Sequence, residues 1–233
     1  ERDIQSVINV LKTPYLSIGP KLIEFENRIA NYVGRKFAIG VNSGTSALHL
    51  ILKSIGIGEG DEVVTTPFSF IASANCILFE GARPVFVDIE EETLNMNPEL
   101  IEEAITEKTK GILPVDVFGH PCAWDEIMDI AQKNELYVIE DSCEALGAEY
   151  KGERCGSFGI AAAFGFYPNK QVTTGEGGMI VTDDEVLANL CRSMRNQGRG
   201  EDMSWLNHER LGYNFRLDEM SAALGISQLE KIE

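Results

Sequence analysis

The sequence around Lys170 is compatible with a nucleophilic amine. Lys170 follows the apolar run 161–166 and precedes a glycine-rich turn at 175–178. An amine that is partly withdrawn from water can become nucleophilic and form a Schiff base with a carbonyl compound. A single lysine is more often a solvated surface charge, so this motif alone leaves both interpretations open.

Residues 42–48, with the sequence NSGTSAL, follow the apolar run 37–41 and open a helical pattern. Gly44 allows a tight turn. Thr45 and Ser46 place hydroxyl and free backbone N–H groups at a helix N-terminus, where phosphate groups commonly bind. Ordinary N-capping by Ser or Thr would produce the same pattern, so this motif is also ambiguous by itself.

Two further side chains extend the set. Phe70, after the run 62–67, could stack on a planar ring, although core packing is the commoner role of an aromatic. Asp141 ends the apolar run 136–141, where a carboxylate is costly without a partner. A protonated pyridine nitrogen would be such a partner, and capping of the next turn is the alternative. A phosphate cradle, a stacking ring, a pyridine partner and a Schiff-base lysine are together what pyridoxal phosphate requires.

These side chains follow β-rich runs that alternate with helical patterns. The predicted strands are 37–41, 62–67, 84–89, 110–117, 136–141, 161–166 and 179–183. The predicted helices are 2–12, 20–33, 45–55, 69–80, 97–106, 124–134 and 184–196. Such alternation predicts one α/β domain with a mostly parallel sheet and helices on both faces. Ligands bind beyond the carboxyl ends of the strands in these sheets, which is where the side chains lie.

Composition narrows the classes of function. The 233 residues carry a net charge of −17, which argues against a nucleic-acid surface. The five cysteines are odd in number and form no CxxC pair, and the three histidines have no ligand spacing. We therefore expect no disulfide framework and no metal site, and a reducing cytoplasm fits. No apolar run approaches the roughly 20 residues of a membrane span, and no signal peptide is recognisable.

The motifs resemble a known family over essentially the whole chain. Among them are VNSGTSALHL (41–50), VIEDSCEALGA (138–148), FGFYPNKQVTTGEGGMIVT (164–182) and GYNFRLDEMSAALGISQLEKIE (212–233), and the Asp141 and Lys170 motifs are highly specific in combination. They are similar to the DegT/DnrJ/StrS-type nucleotide-sugar aminotransferases, which are fold-type I pyridoxal phosphate enzymes. The resemblance implies a three-layer αβα large domain with a mostly parallel, mixed central sheet. Residues 1–233 would be this domain truncated at both ends, with the C-terminal small domain outside the chain.

The resemblance also implies roles for individual residues. Lys170 would be the catalytic Schiff-base lysine, and Asp141 would pair with the pyridine nitrogen. Asn214 would reach the cofactor of a neighbouring subunit, so a homodimer would share its active sites. The complete set of implied cofactor-binding residues is Gly44, Thr45, Ser46, Phe70, Asp141, Glu144, Lys170 and Asn214, with Glu144 near the ring hydroxyl.

Two positions depart from the family pattern. Gly165 stands where many relatives have a serine whose hydroxyl helps to hold the phosphate, so another donor would have to replace it. Asp116 stands where many relatives have histidine, a difference that could concern the choice of substrate.

The implied reaction moves an amino group from glutamate or glutamine to a keto-sugar nucleotide, in cell-surface polysaccharide or amino-sugar biosynthesis. Alternatives on the same fold are a lyase, a desulfurase, a sugar dehydratase or a non-catalytic regulator. The family's dehydratase branch has histidine in place of the lysine, and a regulator has no need to retain both Lys170 and Asp141. No cysteine has the electropositive setting that a desulfurase would need.

Overall fold

The computed structural model describes residues 1–200 and 207–232. Its α-helices are α1 (Arg2–Leu11), α2 (Pro20–Val33), α3 (Gly44–Ser54), α4 (Ala72–Phe79), α5 (Ile101–Ala104), α6 (Trp124–Lys133), α7 (Glu185–Arg195) and α8 (Glu219–Leu229). Its strands are β1 (Phe37–Val41), β2 (Glu62–Thr65), β3 (Arg83–Phe86), β4 (Thr109–Ile112), β5 (Tyr137–Asp141), β6 (Glu149–Tyr150), β7 (Glu153–Arg154), β8 (Ala161–Gly165) and β9 (Gly178–Thr182).

Seven strands form the central sheet, in the order β1-β9-β8-β5-β4-β2-β3. Strand β9 runs antiparallel to both of its neighbours, and the remaining pairings are parallel. Six strands therefore point the same way, and the carboxyl ends of β1, β2, β5 and β8 meet at one edge. The prediction of a mostly parallel, mixed sheet is confirmed. Strands β6 and β7 form a separate small hairpin.

Helices cover both faces of this sheet because alternate strand residues point to opposite sides. In β8, Ala161 and Ala163 belong to the apolar cluster that includes residues of α3 and α7. Ala162 and Phe164 belong to a second cluster with residues of α2 and α8. A third cluster, built around Trp124 of α6, covers the β4 and β5 part of this second face. The result is the predicted three-layer αβα arrangement.

The N-terminus of α2 is held by a carboxylate from α8. Glu219 is 1% exposed, and it accepts hydrogen bonds from the backbone N–H groups of Gly19 (2.9 Å), Lys21 (2.8 Å) and Leu22 (2.8 Å). The first N–H groups of a helix have no partner within the helix, so this side chain satisfies donors that Gly19 itself cannot cap. Glu219 thereby ties the first long helix to the last one.

We expect Glu219→Ala to destabilise the fold by about 3 kcal/mol, because it leaves buried N–H donors without an acceptor. Urea unfolding followed by circular dichroism measures the change. Glu219→Gln keeps one acceptor oxygen in place and should cost clearly less. Equal unfolding midpoints for the alanine variant and the parent would contradict this role.

Within the described residues, no helix is long and apolar enough to cross a membrane. The same residues contain no group of three or more His, Cys, Asp or Glu side chains arranged to hold a metal ion. All five cysteines are free thiols.

Candidate active site

Lys170 lies just past the carboxyl end of β8, in a turn closed by its own N–H on the carbonyl of Tyr167 at 2.9 Å. Its Nζ donates to Oε1 of Glu144 at 2.7 Å, and its side chain is 16% exposed. The amine is thus partly withdrawn from water at the edge of the sheet, and it is not a fully solvated surface charge. It is held by a carboxylate from the loop after β5.

Glu144 is fixed on its other oxygen as well. The backbone N–H of Phe118 donates to Oε2 at 3.0 Å. Burial opposes ionisation of Glu144, but the contacts with Lys170 and Phe118 outweigh it and hold the pKa of the carboxyl below its ordinary value. Glu144 is therefore a fixed anion beside the lysine.

Asp141 is the last residue of β5 and is 5% exposed. Its Oδ2 accepts from the hydroxyl of Ser73 at 2.7 Å, whereas Oδ1 accepts a longer hydrogen bond from the N–H of Cys143 at 3.3 Å. The Cys143 thiol, a weak donor, also bonds to this carboxylate. Burial raises the pKa of Asp141, and the hydrogen bond from Ser73 offsets part of that effect. A buried carboxylate with one weakly bonded oxygen is suited to a cationic or N–H partner.

The N-terminus of α3 offers donors to an anion. The cap residue is Ser43, whose hydroxyl accepts from the N–H of Ser46 at 3.1 Å. The hydroxyl of Ser46 is itself bonded to Asn42 Oδ1 at 2.7 Å. The N–H groups of Gly44 and Thr45 have no hydrogen-bond partner within the described part of the chain. Together with the helix dipole, these two N–H groups form an anion site.

Gly165, at the end of β8, lies against this helix end. A Cβ built on Gly44 would come within 3.4 Å of the Gly165 Cα, so the two backbones are close. The atoms nearest to a Cβ built on Gly165 would belong to Cys143, at 3.5 Å or more, which is ordinary contact. The chain therefore lacks a hydroxyl at a position that has room for one.

We expect Gly165→Ser to bind pyridoxal phosphate about tenfold more tightly, because the new hydroxyl can donate to a charged phosphate. Fluorescence titration of the apoenzyme measures the affinity. Gly178→Ala is the matched control, since its Cβ would lie 2.4 Å from the Ser43 carbonyl and displace the helix end. That variant should bind more weakly, and weaker binding by Gly165→Ser would contradict the prediction.

The other two predicted site residues are exposed. Phe70 follows β2 and is 77% exposed, so its ring is free to be covered by a ligand. Asn214 lies in the segment 212–216, which bridges to the end of β1 through Val41 and Arg216. The structure brings Lys170 and Glu144 into direct contact, but it gives Asn214 no contact with them.

Asp116, which the sequence analysis connected with the choice of substrate, is enclosed in the protein. It is fully buried, and its two oxygens accept from Cys122 N–H at 2.9 Å and Ser142 Oγ at 2.7 Å. Burial raises its pKa to about 6 despite these donors. A carboxyl enclosed in this way cannot touch a substrate, so a direct part in substrate choice is not supported. It instead anchors the residue that follows Asp141.

These residues fit pyridoxal phosphate. The unpaired N–H groups at α3 suit its phosphate, the weakly bonded Asp141 oxygen suits its ring nitrogen, and Lys170 suits its aldehyde. Sequence reasoning did not single out Ser73, although it lies in the predicted helix 69–80. Its partner Asp141 is 68 residues away in the chain, and local pattern does not reveal such a pairing.

Comparisons with known proteins agree with this geometry. The chain matches the DegT/DnrJ/EryC1/StrS aminotransferase family over residues 1–233. GDP-perosamine synthase from Caulobacter vibrioides is 43% identical, over 100% of this chain and 62% of that protein. The structure of DesV from S. venezuelae is 40% identical with a TM-score of 0.94, over 99% of this chain and 62% of that one. The PLP form of an aminotransferase from Streptococcus pneumoniae is 31% identical with a TM-score of 0.94, covering 99% and 64%.

The chain belongs to the DegT/DnrJ/EryC1/StrS aminotransferase family. This confirms the resemblance predicted from the motifs, and it supports pyridoxal phosphate as the cofactor. The chain spans about three-fifths of the length of the curated relatives it matches, 62% in the case of GDP-perosamine synthase.

Proposed function

We propose that residues 1–233 form the cofactor-binding large domain of a pyridoxal phosphate-dependent sugar aminotransferase. One observation carries the proposal. Lys170 lies just past the carboxyl end of β8, and the buried Asp141 lies at the carboxyl end of the adjacent strand β5. The acceptor would be a keto-sugar attached to a nucleotide, and the donor glutamate or glutamine. Named sugar aminotransferases among the relatives support this class of substrate.

Each residue has a role in this proposal. When bound, pyridoxal phosphate supplies an electron-accepting ring. Asp141 keeps a proton on the ring nitrogen, because a buried carboxylate is stabilised by a cationic partner. Lys170 Nζ would act as general base, removing the proton from the α-carbon of the amino donor, and its protonated amine would then act as general acid, giving the proton to the carbon that keeps the nitrogen. Glu144, 2.7 Å from that Nζ, stabilises the amine whenever it carries the proton.

A spectral screen of the full-length protein tests the function. The enzyme is converted to its pyridoxamine phosphate form, and GDP-, UDP- and dTDP-linked keto-sugars are added one at a time. We expect one sugar nucleotide to restore the visible absorbance of the lysine-bound cofactor. Restoration by simple 2-oxo acids, with no response to any sugar nucleotide, would overturn the proposed acceptor.

We also propose that the protein is a cytoplasmic homodimer with shared active sites. Large apolar side chains are exposed beyond the carboxyl edge of the sheet: Phe68 is 41%, Phe70 77% and Phe118 73% exposed. The rings of Phe68 and Phe118 pack edge to face, with their centroids 6.2 Å apart, and so form a continuous patch. Exposed apolar patches of this kind support a partner surface, and free thiols suit a reducing compartment.

We expect Phe118→Asp to shift the full-length protein from dimer to monomer in analytical ultracentrifugation. The backbone φ of Phe118 is 53°, and aspartate tolerates this left-handed conformation, so the fold should persist. Val186→Asp is the control. This residue is 70% exposed at the start of α7, which lies at the opposite edge because β9 runs in reverse. A parent protein that sediments as a monomer would contradict the dimer.

A further inference from the structure

Ser73 contacts the most deeply buried part of the candidate site. It lies in the first turn of α4 and is 1% exposed. Its hydroxyl donates to Oδ2 of Asp141 at 2.7 Å. Within the described part of the chain it is the one hydroxyl that bonds to this carboxylate, whose other hydrogen bonds come from the thiol and the backbone N–H of Cys143. Ser73 therefore determines which oxygen of Asp141 is already occupied.

A second hydroxyl extends this contact outward. Ser69 Oγ lies 2.7 Å from Ser73 Oγ. When the hydroxyl hydrogen of Ser73 is directed at Asp141, Ser69 is the donor in this pair. Phe70 lies between the two serines in the chain, and its carbonyl accepts from the N–H of Ser73 at 3.2 Å. The loop that carries the exposed ring of Phe70 is thus joined to Asp141 by a chain of hydroxyl groups.

We propose that Ser73 is a positioning residue for Asp141, holding Oδ2 so that Oδ1 faces the ring nitrogen of the cofactor. The proposal rests on the proposed function, in which Asp141 is the partner of that nitrogen. A carboxylate that rotates freely presents neither oxygen in a fixed direction. A hydrogen bond to Oδ2 restricts the rotation, and it therefore fixes the direction in which Oδ1 points. The same hydrogen bond stabilises the charged form of a carboxyl that burial destabilises.

Affinity for pyridoxal phosphate, measured by fluorescence titration of the full-length apoenzyme, tests this role. We expect Ser73→Ala to weaken binding about tenfold, as is typical for loss of a hydrogen bond to a charged group. It should also reduce the absorbance of the ring-protonated form of the bound cofactor. Ser73→Thr keeps the hydroxyl and should restore both properties.

Ser227→Ala is the matched control. Ser227 is 2% exposed and its hydroxyl donates to Asp3 at 2.6 Å, so the substitution removes a serine-to-carboxylate bond between α8 and α1 instead of one in the candidate site. It should leave cofactor affinity and the absorbance unchanged. A merely structural effect would instead lower cofactor affinity in both alanine variants in proportion to their loss of thermal stability, and this outcome would overturn the proposal.

A double-mutant cycle separates the possible failures. In an Asp141→Asn background, Ser73→Ala should produce no further loss of affinity, because the anion that it orients is gone. If Asp141→Asn weakens binding and Ser73→Ala does not, the role of Ser73 is wrong and the proposed function stands. If Asp141→Asn leaves binding unchanged, both the role of Ser73 and the proposed role of Asp141 are wrong.

Discussion

Lys170→Ala should abolish transamination by the full-length enzyme, with turnover falling at least about 10³-fold. A positioned general base alone contributes about 10²–10⁴-fold, and this variant also loses the amine that forms the covalent bond to the cofactor. The visible absorbance of the lysine-bound cofactor should disappear with the activity. Steady-state turnover and an absorbance spectrum of the purified protein measure both effects.

Loss of stability should not explain that result. Lys170 is paired with Glu144 at a partly exposed position, 16% and 34% for the two side chains, and such pairs contribute about 1 kcal/mol or less. Lys170→Arg keeps a cation beside Glu144 and provides the control. Its melting temperature should equal that of the parent, and it should still be inactive. A variant at Lys170 that retains the absorbance band and turns over within tenfold of the parent would show that another residue carries the chemistry.

Asp141→Asn should lower turnover by about 10²–10⁴-fold, since breaking a buried charge pair costs about 3–5 kcal/mol. The amide keeps the shape of the side chain and can still accept from Ser73, but it carries no charge to hold a proton on the ring nitrogen. Turnover and the pH dependence of the bound cofactor's absorbance measure the loss. Unchanged turnover would contradict the proposed pairing.

In the apoenzyme, Asp141→Asn should not reduce the free energy of unfolding, although it reduces turnover. Burial raises the folded-state pKa of Asp141, so its charged form costs stability at pH values above that pKa. Asp141→Asn should therefore be at least as stable as the parent at neutral pH, and the difference should vanish in acid, where the carboxyl is neutral in both states. Asp116→Asn is the matched control, because it neutralises another buried carboxyl that has no predicted contact with the cofactor. It should retain most of the turnover.

The sequence predicted the sheet well because its strands are apolar runs ended by turn residues. Strand β1 begins and ends as predicted, and α2 does as well. The predicted strand 110–117 was too long: β4 ends at Ile112, and Pro114, which has no N–H to donate to a ladder, follows two residues later. The predicted helix 97–106 is a 3₁₀ turn followed by the single α-turn Ile101–Ala104. Strands β6 and β7 were missed, since two-residue strands carry no periodic signal.

The candidate site was predictable at the level of residue types, and less so at the level of contacts. The position of Lys170 after β8 and of Asp141 at the end of β5 followed from the strand pattern. The contact between Lys170 and Glu144 depends on two loops that meet only after the sheet has formed. The enclosure of Asp116 could not be read from the sequence either, because a carboxylate after a strand is equally compatible with an exposed ligand-binding role.

The placement of β9 has a consequence for biosynthesis of the chain. Among the described strands, β9 is the neighbour that joins β1 to the rest of the sheet, pairing Phe37 with Thr182 and Val41 with Gly178. A ribosome delivers β1 and α3 long before it delivers β9, and such non-local pairing must wait for the later segment. A nascent chain stalled before residue 178 would present an apolar, unpaired β1 to chaperones. The N-terminal end of α3, the proposed phosphate site, would therefore mature late in translation.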